Sequence, residues 1–145
     1  MDRQVAQFEV IYASADPGRL DGAMTIERLA HAALVLPEAR WGDDDPTRRQ
    51  LAERAQRAGV TIRPRIEVQH ANAALELAAR GIADTLVTRA LLDVLRYGDR
   101  LAAVSLDPPL HEAFAFIRRR NSRPSHATRA LMTLAQQYLA GLSGP

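Results

Sequence analysis

The stretch from Arg65 to Leu92 limits the folding options of this chain more than any other. Pro64 sets off Arg65-Ile-Glu-Val68, in which Ile66 and Val68 alternate with polar neighbours, the pattern of a short half-buried strand. Ala73, Ala74, Leu77 and Ala78 then recur at helical spacing, with Asn72 as the expected N-cap and Gly81 where a left-handed C-terminal cap belongs. After Gly81 the apolar run Leu86-Val87 predicts another strand, and a further helix is expected from Arg89. Strand, helix, glycine and strand in so few residues make a βαβ unit, whose crossover is right-handed.

The flanking segments continue the alternation. Gln7 to Ala13 is an expected strand, ended by the turn chemistry of Asp16-Pro-Gly. Thr25 caps a short helix, and Ala33 to Leu36 is a continuous apolar run of the kind covered on both faces. Pro37 to Asp44 reads as a loop. Asp45 then serves as N-cap with Pro46 at the first helical position. That helix carries Leu51, Ala55 and Ala58 on one face, with Arg48, Arg49, Glu53, Arg54 and Arg57 on the others, and Gly59 stops it. Tyr97-Gly-Asp turns the chain into a strand at Leu101 to Ser105. Asp107-Pro-Pro109 is expected to break it, and Ala113 to Ile117 to form a separate strand. Ser125 caps a final helix to Ala140, with Gly141 beyond its end and an apolar stripe of Ala127, Leu131, Leu134, Ala135 and Tyr138.

With 145 residues and 47% hydrophobic content, the chain suffices for one ordinary core. All nineteen basic residues are arginine and the net charge is only +2, so charge alone does not argue for nucleic acid. The absence of cysteine removes disulfides, thiolate nucleophiles and cysteine-ligated zinc; the absence of lysine removes Schiff-base chemistry. His31, His70, His111 and His126 have no metal-ligand spacing, and neither a nucleophile elbow nor a glycine-rich phosphate loop occurs. Asp43-Asp44-Asp45 reads as a helix-capping acid cluster rather than a cation site. Arg118-Arg119-Arg120 with Arg123 reads as a solvated turn, since neither a helix-turn-helix signature nor interleaved aromatics accompanies it. No apolar run approaches a membrane span and Met1-Asp-Arg-Gln lacks a signal peptide's apolar core, so a cytoplasmic protein is expected.

The best site candidate is the loop Pro37-Glu-Ala-Arg-Trp41 with His70 to Asn72, because both follow the carboxyl ends of expected strands, where open α/β sheets place ligands. The only tryptophan stands beside Arg40, a pairing that suits an apolar or aromatic acid, ring on Trp41 and carboxylate on Arg40. The plainer alternative has Trp41 packed on the helix from Pro46 and Arg40 solvated.

A strand ending Glu67-Val68, a helix ending Ala78-Ala79-x-Gly81 and a strand Ile82-x-x-x-Leu86-Val87 together resemble the second half of the effector-binding domain of LysR-type transcriptional regulators. Thr25 to Ala30 with Ala33-Leu-Val-Leu-Pro37, Arg57-Ala-Gly-Val60, and Phe116 to Ser125 with the helix after it agree in order with that family. The resemblance implies a single lobe of type II periplasmic-binding-protein-like α/β fold, a small mixed sheet flanked by helices. It divides the chain into an effector-binding lobe, 1–120, and a closing helix, 121–145, that in the family packs on a first lobe. By position, Pro37, Glu38, Arg40 and Trp41 would line one wall of the effector cleft, with His70, Asn72 and Thr88 near it. Where the family usually has a glycine and a proline, this chain has Ala83 and Thr88, which restricts the backbone.

The implied function is effector sensing without catalysis: a small organic ligand, no metal or cofactor, no direct DNA contact, and a homo-oligomer. A full regulator carries a winged helix-turn-helix, a linker helix and a first lobe, so an excised fragment or a truncated product is expected. Rival readings are a dimerisation module with no effector of its own and a fragment of a solute-binding protein. The stripe on the closing helix needs a partner, and a second copy of the chain is the expected one.

Overall fold

A computed structural model describes residues 3–142. It contains five strands, β1 (Arg3–Ser14), β2 (Leu34–Leu36), β3 (Ile66–Glu67), β4 (Asp84–Thr88) and β5 (Ala102–Phe116). Five helices accompany them, α1 (Ile26–Leu29), α2 (Pro46–Ala58), α3 (Ala71–Ala79), α4 (Arg89–Val94) and α5 (His126–Leu142). The chain divides into two compact units, one of Glu9–His111 and one of the residues through Phe8 with those from Glu112 onward. Within the expected closing segment 121–145, residues 143–145 lie outside the described residues, as do Met1 and Asp2.

The sheet order is β3-β2-β4-β1-β5. β2 is parallel to both β3 and β4, and β4 is antiparallel to β1, with Val10 opposite Thr88. The expected βαβ unit is therefore present as β3-α3-β4, but β2 lies between its two strands. Alternate residues of the strands face opposite layers. Val10, Tyr12, Leu34, Leu36 and Leu86 join Leu29 of α1 and Leu51 of α2, whereas Ile11, Ala13 and Val87 join Leu75 and Ala78 of α3 and Leu92 of α4. Burial on both faces is why Leu34-Val35-Leu36 is apolar without alternation. Fully burying each such large side chain is worth roughly 1.5–3 kcal/mol.

Local signals act as sequence chemistry requires. Thr25 and Asp45 accept from the amides of Arg28 and Arg48 as N-caps, and Ser125 accepts from Thr128. Gly59 and Gly81 take φ of 71° and 74°. Around Gly81 the amides of Gly81 and Ile82 return to the carbonyls of Ala78 and Leu77, a Schellman closure.

Several expectations are corrected. Asn72 is not the N-cap of α3: His70 holds that position in extended geometry without a side-chain cap, and Asn72 lies in the first turn with its Oδ1 on the amide of Ala73. The buried face of α3 is Ala74, Leu75 and Ala78, so Leu75 replaces Ala73, which is exposed. The expected break at Asp107-Pro-Pro109 does not occur, and β5 runs through it to Phe116. β5 ends the sheet, so two residues without amide donors are tolerated there, and Arg54 of α2 donates to the carbonyls of Pro108 and Pro109. Burial followed by the neighbouring Arg57 lowers the pKa of Arg54. Gly141 does not end the last helix, which continues to Leu142.

Two polar clusters tie elements together. At the start of β4, buried Asp84 accepts from the hydroxyl of Tyr12 and from Arg19 at 3.3 Å. Burial and then the Asp84 hydrogen bond push the Tyr12 phenol well above its ordinary value. On α3, Glu76 accepts from Arg80 at 3.0 Å, Tyr97 at 2.7 Å and Arg100 at 3.0 and 3.1 Å. In the second unit, Phe8 and Phe114 meet edge to face at 5.1 Å, and α5 has no buried residue.

Arg100 first, then Tyr97 and Arg80, lowers the Glu76 carboxyl from 4.5 to about 2. A depressed carboxyl contributes stability above its unfolded value and loses that contribution as pH falls through the folded value. A carbon-detected NMR titration of the Glu76 side chain is expected to show a midpoint of about 2, moving upward in Arg100→Ala.

Candidate functional site

Because β2, β3 and β4 are parallel, their carboxyl ends lie at one edge of the sheet. Pro37 follows β2, His70 follows β3, and Thr88 closes β4, so the topology brings the three predicted segments to that edge. The first two are laced by hydrogen bonds. The amide of Ala39 donates to Val68 at 3.1 Å, that of Glu38 to the carbonyl of Gln69 at 3.4 Å, and that of Arg40 to Gln69 Oε1 at 3.1 Å. Glu38 turns the loop with φ of 62°, a left-handed conformation rare for a residue with a Cβ and held here by these bonds.

Arg48 holds the same loop from beneath. Its Nε donates to the Pro37 carbonyl at 2.9 Å, its Nη2 to the Leu36 carbonyl at 3.4 Å, and its Nη1 pairs with Glu67 of β3 at 2.7 Å. Helical periodicity places Arg48 on a solvent face of α2, yet its side chain is only 12% exposed. Sequence reading missed Arg48 and Gln69, because both act across elements distant in sequence. The one available signal was a polar residue, Gln69, directly after a strand.

The predicted side chains differ in how committed they are. Trp41 is 56% exposed rather than buried against α2. Arg40 and His70 are exposed, and among the described residues the Arg40 guanidinium meets no acceptor. Asn72 is exposed in α3, its carboxamide oxygen engaged and its NH2 available. Thr88 accepts from the Leu91 amide as N-cap of α4, which leaves its hydroxyl proton to donate. Beside it, Glu9 accepts from Arg89 at 3.1 and 3.3 Å and from Ser105 at 2.8 Å, a closed network that keeps Arg89 occupied. Both α3 and α4 start at this edge, and their dipoles favour negative charge there. A cavity of about 430 Å³ lies not among these residues but between α2 and residues 60–64.

A mixed sheet with helices on both faces and irregular loops at the carboxyl ends of parallel strands defines one lobe of a type II periplasmic-binding-protein-like fold. The description that matches residues 9–140 is the LysR substrate binding domain, and the chain belongs to that family, one of transcriptional regulators. In fold it is similar to the CcmR regulatory domain of Synechocystis PCC6803 in complex with 2-PG, at TM-score 0.71 and 14% identity over 96% of this chain and 66% of that one. It is also similar to the effector binding domain of QuiR in complex with shikimate, at TM-score 0.70 and 14% identity over 97% and 66%. Full-length CbnR complexed with its target DNA gives TM-score 0.66 and 19% identity, over 96% of this chain and 47% of that one. The chain thus spans 66% of those effector domains and 47% of the full-length regulator.

Arg48→Ala is expected to release the loop after β2. Losing hydrogen bonds to a charged group is expected to cost about 1–3 kcal/mol in urea unfolding, and time-resolved anisotropy of Trp41 should fall.

Proposed function

We propose that this chain is the effector-sensing part of a LysR-type regulator, binding a small carboxylate at the carboxyl edge of β2, β3 and β4 rather than turning over a substrate. The observation that carries this reading is the pinned loop Pro37–Trp41, which carries at successive positions an exposed arginine whose guanidinium meets no acceptor among the described residues and an exposed indole. Arg40 would take the carboxylate and Trp41 the apolar body, with His70, Asn72 and Thr88 supplying further donors; Glu38 and Pro37 set the loop's shape. Shikimate in the QuiR complex is itself a carboxylate, which supports the ligand class. Sensing would proceed by a shift between arrangements of the bound and free regulator. The protein would work in the cytoplasm, and this domain would sense the effector while other segments of the regulator contact DNA. No helix among the described residues is long and apolar enough to cross a membrane.

Titrating small aromatic and aliphatic carboxylates is expected to change Trp41 fluorescence with dissociation constants of roughly millimolar order, as suits one wall of a cleft. Arg40→Ala should weaken the response. A Trp41 signal silent to every acid would sink the assignment.

The same reading includes association through α5, whose Leu131, Leu134 and Tyr138 are 67%, 62% and 61% exposed. An apolar stripe of this kind marks an interaction surface. The chain is expected to sediment as a dimer or larger species, and Leu131→Asp with Leu134→Asp to sediment as a monomer.

A further inference from the structure

We propose that the cavity beneath the loop is a second ligand site, for a small apolar amine, and that Arg48 passes its occupancy to the loop after β2. The cavity, of about 430 Å³, lies between α2 and the segment leading to β3, within the range of roughly 300–1,000 Å³ that small-molecule sites occupy. Leu51, Ala55, Val60 and Ile62 give it apolar walls, and Asp43 and Arg48 are its charged members. The two charges are not equivalent. Arg48 is already matched by Glu67 at 2.7 Å and by two carbonyls. Among the described residues the exposed Asp43 carboxylate forms no ion pair within 4.0 Å, and Arg49 Nε donates to the Asp43 main-chain carbonyl at 3.2 Å. The unmet charge is therefore negative, opposite to the unmet charge of Arg40 at the sheet edge. An ammonium on Asp43 with its hydrocarbon against the walls satisfies both features, whereas a carboxylate meets repulsion.

The route to the loop is short. Arg48 lines the cavity and donates to the carbonyls of Leu36 and Pro37, so any shift of its guanidinium moves the root of that loop. Asp43 stands two residues from Trp41, and the Asp44 amide donates to the Trp41 carbonyl at 2.9 Å. Transmission rests on the loop having the role proposed above; amine binding does not.

The test uses the whole chain and three probes of one shape: benzylamine, benzyl alcohol and benzoate. In amide-detected NMR, benzylamine is expected to shift Gln56, Val60, Thr61 and Ile62 saturably, benzyl alcohol to bind about tenfold more weakly for want of the charged hydrogen bond, and benzoate to leave them unmoved. Asp43→Asn should weaken benzylamine about tenfold. Ala52→Leu, an exposed rim position that fills the opening without disturbing buried groups, should abolish binding while circular dichroism stays unchanged. Arg40→Ala should leave benzylamine binding intact, which separates failure here from failure of the carboxylate site. Arg48→Lys should keep amine binding and lose the accompanying change in Trp41 fluorescence. Benzoate shifting the same amides as strongly, or benzylamine binding indifferent to both Asp43→Asn and Ala52→Leu, would overturn the site. Saturable benzylamine binding with no Trp41 response in the unaltered chain would overturn the transmission.

Discussion

Strand β2 is the constraint on which the rest depends. Three residues, Leu34, Val35 and Leu36, are buried on both faces and hydrogen-bonded in parallel on both sides, to β3 and to β4. Parallel pairing requires crossover connections, which α2 and α3 supply, and it gathers the carboxyl ends of all three strands at one edge. The loops that carry Arg40, Trp41 and His70 meet there because no other direction is open to the chain after those strands. The antiparallel β1 extends the same edge, bringing Glu9 alongside Arg89.

Arg48 converts this arrangement into a defined surface. A guanidinium offers several donors in a fixed fork, and here three of them satisfy a carbonyl of β2, a carbonyl of the loop after it and a carboxylate of β3. A lysine could meet only part of that demand. The loop conformation, with Glu38 in the left-handed region, is thus set by main-chain bonds above and one side chain below.

Much of this was legible in the sequence, and the failures have physical causes. The caps at Thr25, Asp45 and Ser125, the glycine stops at Gly59 and Gly81, and the doubly covered run Leu34–Leu36 were readable because each depends on neighbours in the chain. The interposition of β2 between β3 and β4 was not, since local pattern carries no strand order. Asn72 misled because its side chain can bond its own turn as well as cap it. Asp107-Pro-Pro109 misled because proline is disruptive only where the missing amide is needed, and at the end of a sheet it is not. At the candidate site, residue types and loop position singled out Arg40, Trp41 and His70, whereas the groups that hold the loop after β2, Gln69 and Arg48, are fixed by tertiary contact.

The prolines of β5 have a further consequence. An outer strand normally presents a row of free donors and acceptors on which a foreign strand can add itself, the first step toward aggregated sheets. Here Pro108 and Pro109 remove two donors, Arg54 occupies their carbonyls, and the Asp107 amide is taken by Met24 at 2.9 Å. That stretch of the sheet is chemically blunted against templating. A foreign strand therefore finds few free main-chain partners along that border of the fold.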